Sequence, residues 1–198
     1  VPSVPTLTTE LEAINMMLST ISEAPVNSLS GANNADVAFA RQTLAELLKA
    51  VLAEGWHFNT EKDFPLSRAE DNTITVGPDM ISVDVDNNAD IDVVLRGQRL
   101  YDKKNHRYTF ESNLEAEVVF LLPFNEIPEV FRQYIAILAA RKFADRAMGS
   151  EVIHKFTDAD EADAREAIER YEANTGDYSI FNNSDVALII ARVPRPWP

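Results

Sequence analysis

Leu11, Ile14, Leu18 and Ile21 fall on one stripe at helical spacing, and Thr9 stands three residues before Glu12 as in a capping box. A first helix is expected over about residues 11–21, ended by Pro25. A second follows over about 36–54, where Val37, Ala40, Leu44, Leu47, Leu48 and Val51 share a face and Gly55 is the stop. The two should form a helical hairpin.

From Trp56 to Leu122 the apolar period falls to two. Short runs at 74–76, 81–85, 91–95, 100–101, 108–110 and 116–122 are separated by Gly, Pro, Asn and Asp clusters, and their spacing predicts an antiparallel meander. Helical spacing returns after Pro123, with Pro128 in the first turn and Gly149 as the stop. Arg141, Lys142 and Arg146 lie toward the end favoured by the helix dipole. This third helix has two apolar stripes. Ile127, Phe131, Tyr134, Ile135 and Leu138 form one, and Val130, Ile137, Ala140, Ala144 and Met148 form the other, which is expected to meet another subunit. A fourth helix over about 158–174, capped by Thr157 with Asp160, carries Glu161/Arg165 and Glu166/Arg170 at i,i+4. Its only large apolar side chains are Ile168 and Tyr171, so it should lie outside.

Helices at both ends with strands between them give an α+β class: a helical bundle formed by the N- and C-terminal helices, with an inserted antiparallel β subdomain and an extended C-terminal arm. The expected divisions are 1–55, 56–122, 123–176 and 177–198. In the last, the run 186–190 has β-branched apolar residues that no later element covers, and Pro194, Pro196 and Pro198 bar a helix. Leu188, Ile189, Ile190 and Trp197 are therefore expected to anchor on another subunit.

Composition narrows the chemistry. The 198 residues carry 18 Lys plus Arg against 32 Asp plus Glu, a net charge of −14, which repels phosphate and speaks against nucleic-acid binding by charge. Without cysteine, disulfides, thiolate metal sites and cysteine nucleophiles are excluded. The start has neither a basic region nor an apolar run, and no stretch has the length of a membrane span, so a soluble, cytosolically made chain is expected.

Asp84, Asp86, Asp90 and Asp92 look like a calcium loop but have Ala89 at the sixth position and Leu95 at the twelfth. A hairpin turning at Asn87–Ala89 would instead set Asp84 opposite Asp92 and Asp86 opposite Asp90, an unfavourable like-charge stripe unless a cation or basic surface meets it. Arg96, Arg99, Lys103, Lys104 and Arg107 follow within twelve positions, with His106 at a hairpin tip and Tyr101 and Tyr108 interleaved. Pairing with the acidic stripe, on the same sheet or a neighbouring subunit, explains this cluster better than nucleic acid does. His57, His106 and His154 have no metal-ligand spacing. Glu61 with Asp63, or Glu115 with Glu117, could serve a glycoside hydrolase, although 32 acids produce such pairs by chance. Trp56 and Phe58 read as core anchors. No catalytic residue, metal or cofactor is expected.

Several segments together resemble the tail tubular protein A family, the head-to-tail adaptors of short-tailed bacteriophages. They are Leu11-Glu-Ala-Ile-Asn15 with Ala24-Pro25-Val26, Asn33-Asn-Ala-Asp36-Val37, Gly55-Trp56-His-Phe58-Asn59, Leu100-Tyr101-Asp102, and Glu126-Ile-Pro128-Glu-Val-Phe131-Arg132 with Tyr134, Ile135 and Phe143. The likeness covers roughly 10–60 and 98–178 and consists of packing and turn residues. It departs from the family over 61–97, after Tyr178, and at Ser22, where a Gly is usual. The resemblance implies a homo-oligomeric ring of twelve copies between the portal and the nozzle, tail tubular protein B, with a tail fibre docking near that junction. It also implies a conduit that DNA traverses without specific binding, residence in the virion tail after assembly in the host cytoplasm, and no membrane partner. Charged hairpins bearing Asp84, Asp86, Asp90, Asp92, Arg96, Arg99, Lys103, Lys104 and Arg107 are expected to face the nozzle or fibre. The competing class is a tail-associated polysaccharide hydrolase using a carboxylate pair.

Overall fold

A computed structural model of the chain describes residues 6–30, 34–85, 90–148 and 158–176. The first helix, α1 (Glu10–Thr20), begins at the expected capping box: the Glu12 amide donates to the Thr9 hydroxyl while the Thr9 amide donates to the Glu12 carboxylate. It ends at Ile21 and Ser22, before Pro25, and Ser22 adopts φ 63 in the left-handed region. The second helix, α2 (Ala35–Leu52), is capped by the Asn34 side chain, which accepts from the Asp36 amide at 2.8 Å, and Gly55 turns the chain away with φ 74.

The strands are β1 (Thr60–Leu66), β2 (Met80–Asp84), β3 (Val93–Arg96), β4 (Arg99–Asp102) and β5 (Leu114–Phe120). They are antiparallel but not a meander, which corrects the expected connectivity. β5 is the centre of a three-stranded sheet flanked by β1 and β2, and β3 pairs with β4 separately. Residues 74–76 and 108–110 contribute isolated bridges, Thr75 to Arg99 and Thr73 to Thr109, instead of strands. The unexpected strand is β1. Its sequence, Thr-Glu-Lys-Asp-Phe-Pro-Leu, conceals the period of two because it is an edge: Lys62, Asp63 and Pro65 discourage further pairing, and a bulge falls where Asp63 takes φ 55.

After a 3-10 turn at Phe124–Glu126, the long helix α3 (Glu129–Met148) runs through the helical layer, and α4 (Asp158–Thr175) lies on it. Both α1 and α2 pack more extensively on α3 than on each other, so the expected hairpin is part of a layer organised around α3. One apolar core joins Ile14, Met17 and Leu18 of α1, Leu44 and Val51 of α2, Trp56, Phe131, Ile135 and Phe143 of α3, and Ile168 of α4. A second core holds Ile74, Val83, Val93, Leu100, Phe110, Ala116 and Val118 inside the β region. Ile81 and Leu121 pack on the first core while Val83 and Val118 belong to the second, so β2, and β5 with the residue that follows it, tie the cores together. Among the described residues no helix is long and apolar enough to cross a membrane.

Candidate assembly surface

Buried polar joints hold the helical layer in one arrangement, and most lie in the segments that carry the family resemblance. The Asn15 amide side chain donates to the Val26 carbonyl at 2.9 Å and accepts from the Val26 amide at 2.8 Å, pinning the chain after α1. Asn59 is buried. It accepts from the Trp56 amide and donates to the carbonyls of Leu52 and Phe120, joining the end of α2 to β5. The Trp56 indole donates to the Val51 carbonyl at 2.8 Å, and its ring meets Phe131 edge-on with centroids 4.9 Å apart. Phe131 also touches Phe58 and Tyr171, so one α3 side chain fixes the connector after α2 and the position of α4. The expectation that Trp56 and Phe58 are core anchors holds.

Arg132 is a buried cation whose fork donates to three carbonyls, those of Ile127, Asn125 and Thr8. It therefore ties the N-terminal strap to the start of α3. Glu129 completes that joint by accepting from the Thr8 amide and hydroxyl. Burial pushes the Glu129 carboxyl up, but the hydrogen bonds from Thr8 and Gln133 outweigh it and hold the group below its usual range.

The basic end of α3 is committed within the subunit. Glu46 of α2 accepts from Lys142 at 2.8 Å and from both Arg146 nitrogens at 2.7 and 3.0 Å, and these bonds hold its carboxyl down to about 2. Arg141 grips Asp158 and Glu161 of α4. That corrects the expected Glu161/Arg165 pair: Arg165 reaches Glu54 and Glu169 and lies over the Trp56 ring, whereas Glu166/Arg170 forms as expected. On the second α3 stripe, Ala140 and Ala144 are buried in the chain's own core. Val130 and Ile137 are half-buried, and Val130 packs against the core. The Met148 side chain, Asp86, the Thr157 cap, the Gly149 stop, His154, Leu188, Ile189, Ile190 and Trp197 lie outside the described residues.

The β region presents its charge differently. β2 pairs with β5, so the residue opposite Asp84 is Glu117, not the expected Asp92. Asp92 instead pairs with Lys103 at 2.9 Å and Asp90 with Lys104 at 3.5 Å, so of the two expected arrangements, within the chain or with a neighbouring subunit, these two pairs take the first. These lysines sit on a tip organised by Asp102, a buried carboxylate that stands out in the sequence only as part of the family resemblance. It accepts from the Asn105 side chain at 2.7 Å and from the backbone amides of Lys104, Asn105 and Asp92. Burial raises the Asp102 pKa, yet those donors dominate and leave it below the ordinary value. The signal was present as an Asp followed three residues later by Asn at the end of an apolar pair, the spacing of a side-chain-closed turn. His106, at the tip as expected, takes φ 53.

Glu61, Asp63, Glu115 and Glu117 are all exposed on the β1–β5 strands, with Lys62 4.0 Å from Glu117. Among the described residues no group of three or more His, Asp or Glu is arranged to hold a metal ion.

A two-core subunit whose buried polar groups are joints and whose charges line strand ends and helix faces has the construction of an assembly component. Residues 11–178 match the protein family described as Tail tubular protein, and the chain belongs to that family. It is also similar to Tail tubular protein A of Klebsiella phage KP34, with 28% identity over 128 residues, 64% of this chain and 67% of that relative. The chain is thus a structural protein of a bacteriophage tail.

Proposed function

We propose that this protein is a ring-forming adaptor that joins the portal to the tail nozzle, forms part of the DNA ejection conduit and contributes to the tail-fibre docking site, with twelve copies per ring. The family match over 11–178 carries the reading. Physical support comes from two features. The net charge of −14 keeps a sliding duplex from adhering to the conduit wall. Ile137 is a large aliphatic side chain left half-buried on α3.

In this reading Val130 and Ile137 meet a neighbouring subunit. The Lys103–Arg107 tip with Asp90 and Asp92 selects the nozzle or fibre by charge of both signs. The arm after residue 176 orders on the portal or an adjacent copy, and the protein performs no reaction and uses no cofactor. Ile137→Asp tests it by light scattering and negative-stain imaging with the portal. The variant should keep the monomer's unfolding midpoint while losing ring formation or incorporation. Normal assembly would remove Ile137 from the interface.

A further inference from the structure

The β region contains two like-charged pairs set directly across from one another. On the hairpin of β3 and β4, Arg96 stands opposite Arg99 across the Gly97–Gln98 turn. On the neighbouring sheet, Asp84 of β2 stands opposite Glu117 of β5, where the exposed Lys62 of β1, 4.0 Å from Glu117, offers a weak surface pairing. Facing like charges destabilise a sheet unless opposite charges compensate them.

Both arginines are exposed and neither is in direct ion-pair contact among the described residues, although Arg99 is near enough to Asp71 to help hold its carboxyl below the usual range. Each lies on a tyrosine: the Arg96 guanidinium carbon is 3.5 Å from the centre of the Tyr101 ring and that of Arg99 is 4.9 Å from the centre of Tyr108. The two rings meet edge-on with centroids 4.8 Å apart, and Tyr108 is one of only two large apolar side chains exposed among the described residues. Stacking fixes the planes of the guanidinium groups and leaves their N–H edges free, the arrangement that receives carboxylates in a fork. Because guanidinium groups already cover ring faces, the tyrosines are poorly placed to stack nucleic-acid bases. Tyr and Arg together are also the residues on which protein contacts concentrate their energy.

Asp84 ends β2 and lines the groove that also holds Asp92 and Lys103, whereas Arg96 and Arg99 flank the turn at the other end of the β3–β4 hairpin. One subunit thus carries an arginine pair and an acid pair, each set across two neighbouring strands, in different places. A contact joining the two is heterologous, the type that closes a ring when its rotation does.

We infer that Arg96 and Arg99, held on Tyr101 and Tyr108, dock onto Asp84 and Glu117 of a second copy of this chain, making a head-to-tail contact between β regions. This rests on the ring reading above. The test uses the full chain in two charge-reversed forms, Arg96→Glu with Arg99→Glu, and Asp84→Lys with Glu117→Lys. Each alone should be a folded monomer by thermal melting and light scattering, and an equimolar mixture should regain the wild-type assembly because every contact in it is complementary. Should a reversed form fail to fold, the neutral forms Arg96→Gln with Arg99→Gln and Asp84→Asn with Glu117→Gln replace it, and each should weaken assembly. Assembly of either reversed form at wild-type concentrations overturns the contact while leaving the ring reading intact, as does a folded mixture that stays monomeric beside a wild-type ring. Wild-type protein that stays monomeric with and without the portal overturns both. Salt-sensitive duplex DNA retention by the wild type that the arginine variant loses would assign the pair to phosphate and overturn the contact.

Discussion

The helical layer and the β region of this subunit differ in how completely their charges are answered. Around α3 almost every cation is answered inside the chain, as Glu46 answers Lys142 and Arg146, and Asp158 and Glu161 answer Arg141. In the β region Lys62, Lys103, Lys104 and Arg107 are answered too, but Arg96 faces Arg99 and Asp84 faces Glu117. The difference separates two tasks. One half uses its charges to join its own helices, and the other keeps two like-charged cross-strand pairs beside its internal ion pairs. Hydrophobic material follows the same division: the helical core contains the aromatic group of Trp56, Phe58, Phe131 and Tyr171, while the β core is built mainly from Val, Ile and Leu.

The largest blow to the helical half should come from Phe131→Ala. That change removes a fully buried ring touching Trp56, Phe58 and Tyr171 and should cost about 3–5 kcal/mol of unfolding free energy, measured by urea denaturation. An effect below about 1 kcal/mol would mean that α4 and the connector are held otherwise.

A smaller and more local effect is expected in the β half. Asp102→Asn removes the charge and one acceptor oxygen from a buried group that receives four donors, and should cost about 1–3 kcal/mol. Faster amide exchange should appear at Lys104 and Asn105 with the helical amides unchanged. The pH dependence has a definite sign. Since the folded-state pKa of Asp102 is depressed, its contribution is fully present above the unfolded value of about 3.9 and is lost as pH falls through the lower folded value. The hairpin should therefore loosen on acidification toward that range, and a tip that tightened on acidification would reverse the argument.

The smallest change should be a gain. Ser22 ends α1 at φ 63, where glycine is unstrained, so Ser22→Gly should stabilise the chain by about 0.5–1 kcal/mol in thermal melts. Destabilisation would show that the serine side chain has a compensating role there.

How much of this was legible in the sequence follows from the same contrast. The four helices could be read because their apolar stripes and caps are local signals, such as Thr9 with Glu12. The strand order could not, because β5 pairs with β1 across more than forty intervening residues and nothing in either segment encodes its partner. β1 was hidden by the very charges and proline that protect its edge. In the candidate surface, charge clustering around residues 84–107 was readable as composition. The two opposed pairs were not, since Arg96 across from Arg99 depends on the Gly97 turn and Asp84 across from Glu117 on tertiary register. The family residues were legible as a pattern before their work was. Half-buried Asn15 and buried Asn59 and Arg132 proved to be hydrogen-bonding joints, a role that becomes visible only when their partners are in place.

Hydrogen–deuterium exchange on the free subunit and on the same chain assembled with its portal tests the division of labour most directly. The account predicts slow exchange in α1, α2 and α3 in both states, with new protection on assembly over β3, β4 and the Asp84 and Glu117 strands. Equal exchange of those strands in the two states, with protection gained only inside the helical core, would contradict it.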